Sequence, residues 1–494
     1  MSTLDQSRNG APMKLTSAQL DRAAGVLLGT ACGDALGAGY EFGPPLADGT
    51  PVTMSGGGGF GWEPGEWTDD TSMAIVIAQE TATGASLDDE ATLDRITGAW
   101  VTWSKTAPDV GNQLRAVLGT SAPATSAGVA ASAMSFWKRH GQAAGNGSLM
   151  RTAPVALAYL GDPEGLAAAA RRISDLTHPE PDAGDGCVLW CLAIRHAVLT
   201  GEYDLRGGLE LIPEERRTIW SDRIDEAERL EPRDFTKNGW VVHALQGAWS
   251  AISHGDGLVD SLERAVRGGR DTDTVAAIAG GLLGARWGAS IIPARWQRVL
   301  HGWPGLRSRE LFNLAILSVT GGRTDEGGWP SGERFDYSSF GDVSTLVRHP
   351  HDDGVWLGGV GALEGADVDA VVSLCRIGTA QSPVAAGDHV EVWLVDRDDP
   401  ASNPNLDAVL VDAVAAVAAF RAEGKTVLLH CVQAQSRTPS VAALYSALHL
   451  GVPIDRALAE IVAVLPDAHP KPFLVEAIGR VGGNRKNSGR EAGN

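Results

Sequence analysis

The sequence predicts a multidomain chain: an all-α N-terminal domain, then an α/β C-terminal domain whose small central sheet is flanked by helices. Three observations carry this. A length of 494 residues exceeds what one compact core supports. From 14 to 305, apolar residues recur at helical spacing between Gly/Pro/Asp loops, and period-two runs are scarce. Past the Gly-rich, polar stretch "TGGRTDEGGWPSGERFDYSSF" (320–340), the pattern changes to short alternating runs. The expected organisation is a loose tail at 1–13, a helical domain at 14–305, a linker at 306–340, an α/β domain at 341–483 and a second loose tail at 484–494.

In the first domain the 3.6-residue pattern predicts helices over 16–37, 71–83, 88–105, 184–200, 239–254, 258–267 and 274–288. Several carry Gly or Ala on more than one face, which lets helix backbones approach closely. In the second domain, β-branched alternating runs predict strands over 354–360, 368–377, 389–395 and 426–432. Helices are expected over 405–425, closed by Gly424, and over 438–450, 454–464 and 472–481.

Composition narrows the function. A formal charge of −20 argues against nucleic acid or an anionic membrane as partner, since both call for a basic face. Five scattered cysteines do not make a disulfide framework, which points to a reducing compartment. No secretory h-region and no run of about 18 apolar residues is evident, so a cytoplasmic protein is expected.

Two short stretches raise the chemical question. "EWTDDTSMAIVIAQ" (66–79) sets Thr68, Asp69 and Asp70 at the mouth of a helix. "GGRDTDTVAAIAGGLLGARWG" (268–288) sets Asp271, Asp273 and Thr274 at the mouth of another. Thr and Asp are good N-caps, which accounts for one acid per helix. Hard divalent cations also take carboxylate and hydroxyl oxygens, and four carboxylates suffice for a two-metal site. On residue types alone, both readings stand. "GDALGAGYEF" (33–42) adds Asp34 and Glu41, and "PDVGNQL" (108–114) adds Asp109 in a loop. "GNGSLMRTAPVAL" (145–157) is a turn opening a helix, whose N–H groups suit a phosphate.

In this order these motifs, together with "LTHPEPDA" (176–183), resemble the ADP-ribosylglycohydrolases, the group related to dinitrogenase-reductase-activating glycohydrolase. The resemblance spans roughly residues 18–300. It implies two Mg²⁺ or Mn²⁺ ions held by Thr68, Asp69, Asp70, Asp271, Asp273 and Thr274. It implies Glu41 beside the metals, Asp109 as acid/base, Asn146, Gly147 and Ser148 cradling a diphosphate, and His178 touching ADP-ribose. The implied substrate is an ADP-ribosylated protein or small molecule. Arg270, directly before Asp271, departs from the family pattern; it either tunes metal affinity or points to solvent. The alternative is a non-catalytic ADP-ribose-binding module beside a working second domain.

A second constellation lies in "TVLLHCVQAQSRTPSVAALY" (426–445): strand, Cys431, five residues, Arg437, helix. Loop N–H groups and a helix N-terminus there would bind an anion and favour a thiolate, and Arg437 would grip phosphate oxygens. Thr438 would hydrogen-bond the sulfur. With "VEVWLVDRDDP" upstream, this domain resembles the Cys-based tyrosine and dual-specificity phosphatases. That implies a phosphorylated substrate of unstated identity, no cofactor in this domain, and Asp396 as the proton donor, with Asp398 and Asp399 as rivals. Most relatives carry Gly where this chain has Ala434, a cost if that position needs positive φ. The chain is thus expected to be a bifunctional hydrolase.

Overall fold

The computed structural model describes residues 13–483. The two expected tails lie outside the described residues, apart from Met13. The N-terminal domain is helical. Its principal helices are Ser17–Gly37, Asp69–Thr81, Glu90–Trp103, Asn112–Thr120, Ser126–His140, Pro163–Asp175, Pro181–Thr200, Glu214–Ala227, Val241–Ser253, Leu258–Arg267, Thr272–Trp287 and Ser308–Thr320. Local chemistry sets their ends. Thr16 and Gln19 form a reciprocal capping box. Asp89, Thr125 and Asp162 accept first-turn N–H groups. Gly141, Gly201 and Gly321 close helices in the left-handed conformation.

At the centre of this domain, Ser17–Gly37 and Thr272–Trp287 pack backbone to backbone. A Cβ on Gly29 would fall 2.1 Å from the Gly280 carbonyl oxygen, and one on Gly37 would fall 2.4 Å from Asp273 Cα. Only glycine permits this approach, and it brings Asp34 on the first helix beside the first turn of the second. The seven helices expected here are present, with ends shifted by at most three residues. Those at 112–120, 126–140, 163–175 and 214–227 were not foreseen.

The C-terminal domain holds a five-stranded sheet. Two short strands, β1 (His301–Gly302) and β2 (Leu306–Arg307), form a separate antiparallel pair. The sheet consists of β3 (Leu346–His349), β4 (Asp352–Gly358), β5 (Ala370–Ser373), β6 (His389–Glu391) and β7 (Val427–His430), in the order β3-β4-β7-β5-β6. β3 runs antiparallel to β4, and every other pairing is parallel. β4, β5, β6 and β7 are the four expected strands: β4 is shifted two residues toward the N-terminus, and the other three are shorter than expected. β3 escaped notice because it is a four-residue edge strand with a register shift after Arg348. Leu406–Ala422, Arg437–His449, Ile454–Val464 and Pro472–Gly483 are the flanking helices.

The expected linker is not loose throughout. Its first part, Ser308–Thr320, is a helix that buries Leu311, Ala315 and Ile316 in the first-domain core. The segment that follows is tied down: the Phe335 N–H donates to Gln381 Oε1 at 3.0 Å, and the Tyr337 hydroxyl donates to the Arg376 carbonyl. The two domains also dock directly. The Ala294 N–H donates to Asp412 Oδ2 at 2.9 Å, and Arg298 grips both Glu423 oxygens at 2.8 and 3.0 Å. Arg309 pairs with Glu391 at 2.7 Å. Among the described residues no helix is long and apolar enough to cross a membrane.

Candidate functional site

The two Thr/Asp clusters meet. Thr68 Oγ1 lies 3.1 Å from Asp70 Oδ2 and 3.4 Å from Asp273 Oδ2. Thr274 Oγ1 lies 3.4 Å from Asp70 Oδ2. Thr68 occupies the N-cap position of its helix without capping it. Asp34 does that work from another helix: it accepts the Thr68 N–H at Oδ1 and the Thr71 N–H at Oδ2, each at 2.9 Å. This leaves the threonine hydroxyl and Asp70 facing the second cluster.

Carboxylate oxygens of Asp34, Asp70 and Asp273 lie within 4.8 Å of one another, as do those of Glu41, Asp109 and Asp273. Asp273 belongs to both groups. Burial, then neighbouring carboxylates, hold Asp69, Asp70 and Asp273 well above the ordinary carboxylate range. Burial and then Asp109 push Glu41 up to about 9, and burial followed by Asp271 pushes Asp109 to about 6. Asp70 Oδ1 and Glu41 Oε2 are buried with no hydrogen-bond partner. A set of hard oxygen donors with orphaned carboxylate atoms fits divalent cations, which would let these acids ionise side by side.

Asn146 reaches across to this cluster, donating from Nδ2 to Asp271 Oδ2 at 2.8 Å and to the Asn238 carbonyl at 2.9 Å. Asn146–Ser148 is one 3-10 turn, and the next helix starts only at Ala153, so no α-helix N-terminus stands behind the loop. The Ser148 hydroxyl faces the core, 3.0 Å from Ser174 Oγ, leaving its backbone as the part able to meet a ligand. His178 was expected to touch the ligand. It is 1 % exposed beneath the loop, within 2.7 Å of Thr177 Oγ1, and a Cβ on Gly147 would meet its ring at 3.2 Å. Burial, then Arg151, depress its pKa, so it packs as a neutral ring.

Arg270 has φ 67°. Its N–H donates to the Gly43 carbonyl at 2.7 Å, and its own carbonyl accepts the Phe42 N–H at 2.6 Å, tying the Glu41 loop to the Asp271 loop. Its guanidinium turns back onto the Arg233 and Gly268 carbonyls at 3.4 and 3.3 Å. The residue therefore acts here through its backbone. Sequence reasoning named Asp34 only as a nearby acid and missed Arg151 and Asn238. Arg151 is fully buried 4.0 Å over the Trp100 ring, donating to Thr177 Oγ1 at 2.7 Å. Asn238 ties the Asp271 turn by donating to the Gly269 carbonyl at 3.0 Å.

A second cluster sits at the end of β7. Cys431 follows the strand directly and is buried, and the loop runs to Ser436 before Arg437 opens a helix. Among the described residues, the N–H groups of Gln433 to Ser436 find no protein acceptor. Ala434 has φ 60°. Successive free N–H groups with one left-handed residue make a concave anion seat. Arg437 Nη1 donates to the Leu374 and Leu394 carbonyls at 2.5 and 3.2 Å, while Nε is buried without a partner, 3.8 Å from Asp396 Oδ2. Asp396 accepts from Ser436 Oγ at 3.0 Å and lies 3.4 Å from Lys471 Nζ. Asp398 and Asp399 have no such link to the loop; Asp399 instead caps the short turn after it. The Thr438 hydroxyl, expected on the sulfur, points to the Gly358 carbonyl at 3.5 Å.

The first site thus defines a helical protein with a buried, oxygen-rich candidate metal centre assembled from two helix mouths. Residues 15–325 match the ADP-ribosylglycohydrolase family, and the chain belongs to that family. ADP-ribosyl-(dinitrogen reductase) glycohydrolase of Rhodospirillum rubrum is 31% identical over 287 residues, covering 56% of this chain and 89% of that one. ADP-ribosylarginine hydrolase Tri1 of Serratia proteamaculans is 29% identical over 301 residues, covering 60% and 79%. The C-terminal domain is similar to human DUSP28 at 24% identity and a TM-score of 0.25, over 28% of this chain and 95% of that one. At that level of likeness, the reading of this domain rests on its own loop geometry.

Proposed function

We propose that the N-terminal domain hydrolyses the glycosidic bond joining ADP-ribose to a modified acceptor, a protein side chain or a small molecule, with two bound Mg²⁺ or Mn²⁺ ions. The observation that supports this best is the convergence of Thr68, Asp70, Asp273 and Thr274 with Glu41 and Asp109 in one cleft. Thr68, Asp69, Asp70, Asp271, Asp273 and Thr274 would hold the cations, with Asp34 close by. When bound, the cations would polarise ribose hydroxyls and position a water. Asp109, half-buried beside Glu41 and Asp273, is placed to carry a proton between the leaving group and water. Asn146 would fix the diphosphate side while bracing Asp271. The retained Glu41 and Asp109 favour turnover over a pure binding module.

Chelated protein should release no ADP-ribose from ADP-ribosylated arginine or serine, and added Mg²⁺ or Mn²⁺ should restore release. Equal rates before and after chelation would overturn the metal dependence. Tight binding of free ADP-ribose with no hydrolysis of any modified acceptor would favour the binding module.

For the C-terminal domain the supporting observation is the free N–H seat between Cys431 and Arg437, with Asp396 held at its rim. The Cys431 thiolate would attack phosphorus, forming an S–P bond as the ester O–P bond breaks. Asp396 would give its proton to the departing oxygen, and water would then cleave the S–P bond to release phosphate. Turnover of p-nitrophenyl phosphate that vanishes in Cys431→Ser is the expected result. Turnover unchanged in that variant would overturn it.

A further inference from the structure

A cavity of about 580 Å³ lies between the two domains. The first domain lines it with Arg309, Phe312 and Asn313, and the second with Trp393, Asp396 and Arg437. One end therefore touches the phosphate-loop arginine and the candidate proton donor. The other end is aromatic. The rings of Phe312, Trp329 and Trp393 lie 5.7 to 6.3 Å apart, tilted or edge-on, and Arg376 stacks 3.8 Å over Trp329. Two lining residues have a buried donor with no acceptor: Trp393 Nε1 and Arg437 Nε. Buried orphan donors are costly, and at a cavity wall they point to an acceptor-bearing ligand. The volume falls within the range of small-molecule sites, roughly 300–1,000 Å³.

We infer that this interdomain cavity binds a small aromatic phosphate monoester of the nucleoside monophosphate class, with the phosphate toward Arg437 and the base against the cavity-facing sides of Phe312, Trp329 and Trp393. The inference rests on the phosphatase reading of the Cys431 loop, with which the cavity shares Val432, Asp396 and Arg437 although Cys431 itself does not line it, and it names the class of ligand that meets that arginine. Two features select a small molecule over a phosphorylated protein segment. The walls come from both domains, docked through Ala294–Asp412, Arg298–Glu423 and Arg309–Glu391, so a polypeptide has little room to run through. The aromatic end is built from three rings packed on one another, whose cavity-facing sides offer a planar base a surface to stack on. A contribution from Phe312 also gives a reason for the docking: the first domain completes the pocket of the second.

The test uses full-length Cys431→Ser protein, which would hold a monoester without turning it over, in calorimetric titrations with AMP and with ribose 5-phosphate. The two share ribose and phosphate and differ by the base. AMP is expected to bind at least tenfold more tightly, and Phe312→Ala or Trp393→Ala should reduce that ratio to near one. Phe312→Leu, which keeps most of the volume, should lower the ratio and guards against a folding defect in the alanine variant. Equal affinities for the two ligands, no measurable binding of AMP, or a ratio unmoved by all three variants would overturn the inference. Turnover of p-nitrophenyl phosphate by the unsubstituted chain reads the phosphatase function separately. Present with no AMP preference, it sinks the cavity assignment alone. Absent while AMP still binds selectively, it sinks the catalytic reading and leaves the cavity assignment standing.

Discussion

Thr68 Oγ1 lies 3.4 Å from Asp273 Oδ2, although 205 residues separate them in the chain. Asp273 also stands in both close carboxylate groups, with Asp34 and Asp70 on one side and Glu41 and Asp109 on the other. Asp273→Asn should therefore weaken Mn²⁺ binding by at least tenfold, measured by calorimetry, and cut ADP-ribose release by about 100-fold or more. The same variant should melt higher than the parent when both are metal-free, because it removes one of the crowded carboxylates. Unchanged cation affinity would show that the cluster is not a metal site.

The crowding has a pH signature. Burial above all, with help from neighbouring carboxylates at Glu41 and Asp109, places Asp34 and Asp109 at about 6 and Glu41 at about 9, against roughly 4 for the unfolded chain. A raised folded pKa contributes stability that is fully present below about pH 4 and is lost as pH climbs through 6 toward 9. Metal-free protein should thus melt progressively lower across that window. Cations need the ionised form, so the Tm gap between Mg²⁺-loaded and chelated protein should widen as pH rises. A gap that stays constant or narrows would contradict the cluster's role.

The close helix pair makes a third prediction. A Cβ on Gly33 would sit 2.0 Å from the Ala276 carbonyl oxygen, while one on Gly119 would meet nothing within 4 Å. Gly33→Ala should cost about 2–3 kcal/mol by forcing two central helices apart, whereas Gly119→Ala should be neutral or stabilising by about 0.5–1 kcal/mol. Because Asp34 and Asp273 ride on those two helices, Gly33→Ala should also weaken cation binding. Denaturant melts of both variants, with and without Mg²⁺, check this.

What the sequence revealed follows from range. The Thr/Asp clusters were legible because each packs its oxygens into four consecutive residues, and the Cys431 loop because its spacing is local. Asp34 read only as an acid near a helix end, since its bonds reach Thr68 and Thr71 across more than 30 residues. Arg151 gave no local signal, since Trp100, Ile173 and Thr177 form its pocket only after folding. The docking of the two domains was equally hidden, because Asp412 and Glu423 sit on what reads as an ordinary solvated face. The helix Ser308–Thr320 did carry a signal, apolar residues at 311, 315 and 316 and the Gly321 stop, but it lay under a Gly-rich tail that dominated the reading.

Ala434 supplies the last prediction. Its φ of 60° is left-handed, the case in which an alanine here carries a cost, and its side chain is fully buried beside Cys431. An L-residue with a Cβ loses about 1–2 kcal/mol there, and glycine would avoid that while adding some entropy to the unfolded chain. Ala434→Gly should therefore stabilise the protein by on the order of 0.5–1 kcal/mol. It should also ease the loop's wrap around phosphate, raising kcat/KM for p-nitrophenyl phosphate severalfold and lowering the inhibition constant of inorganic phosphate or vanadate. In the Cys431→Ser background the turnover gain should vanish while the stability gain persists. If Ala434→Gly destabilises the chain and loosens anion binding, then the alanine methyl group packs usefully in this loop, and its strain is offset by contacts that glycine would lose.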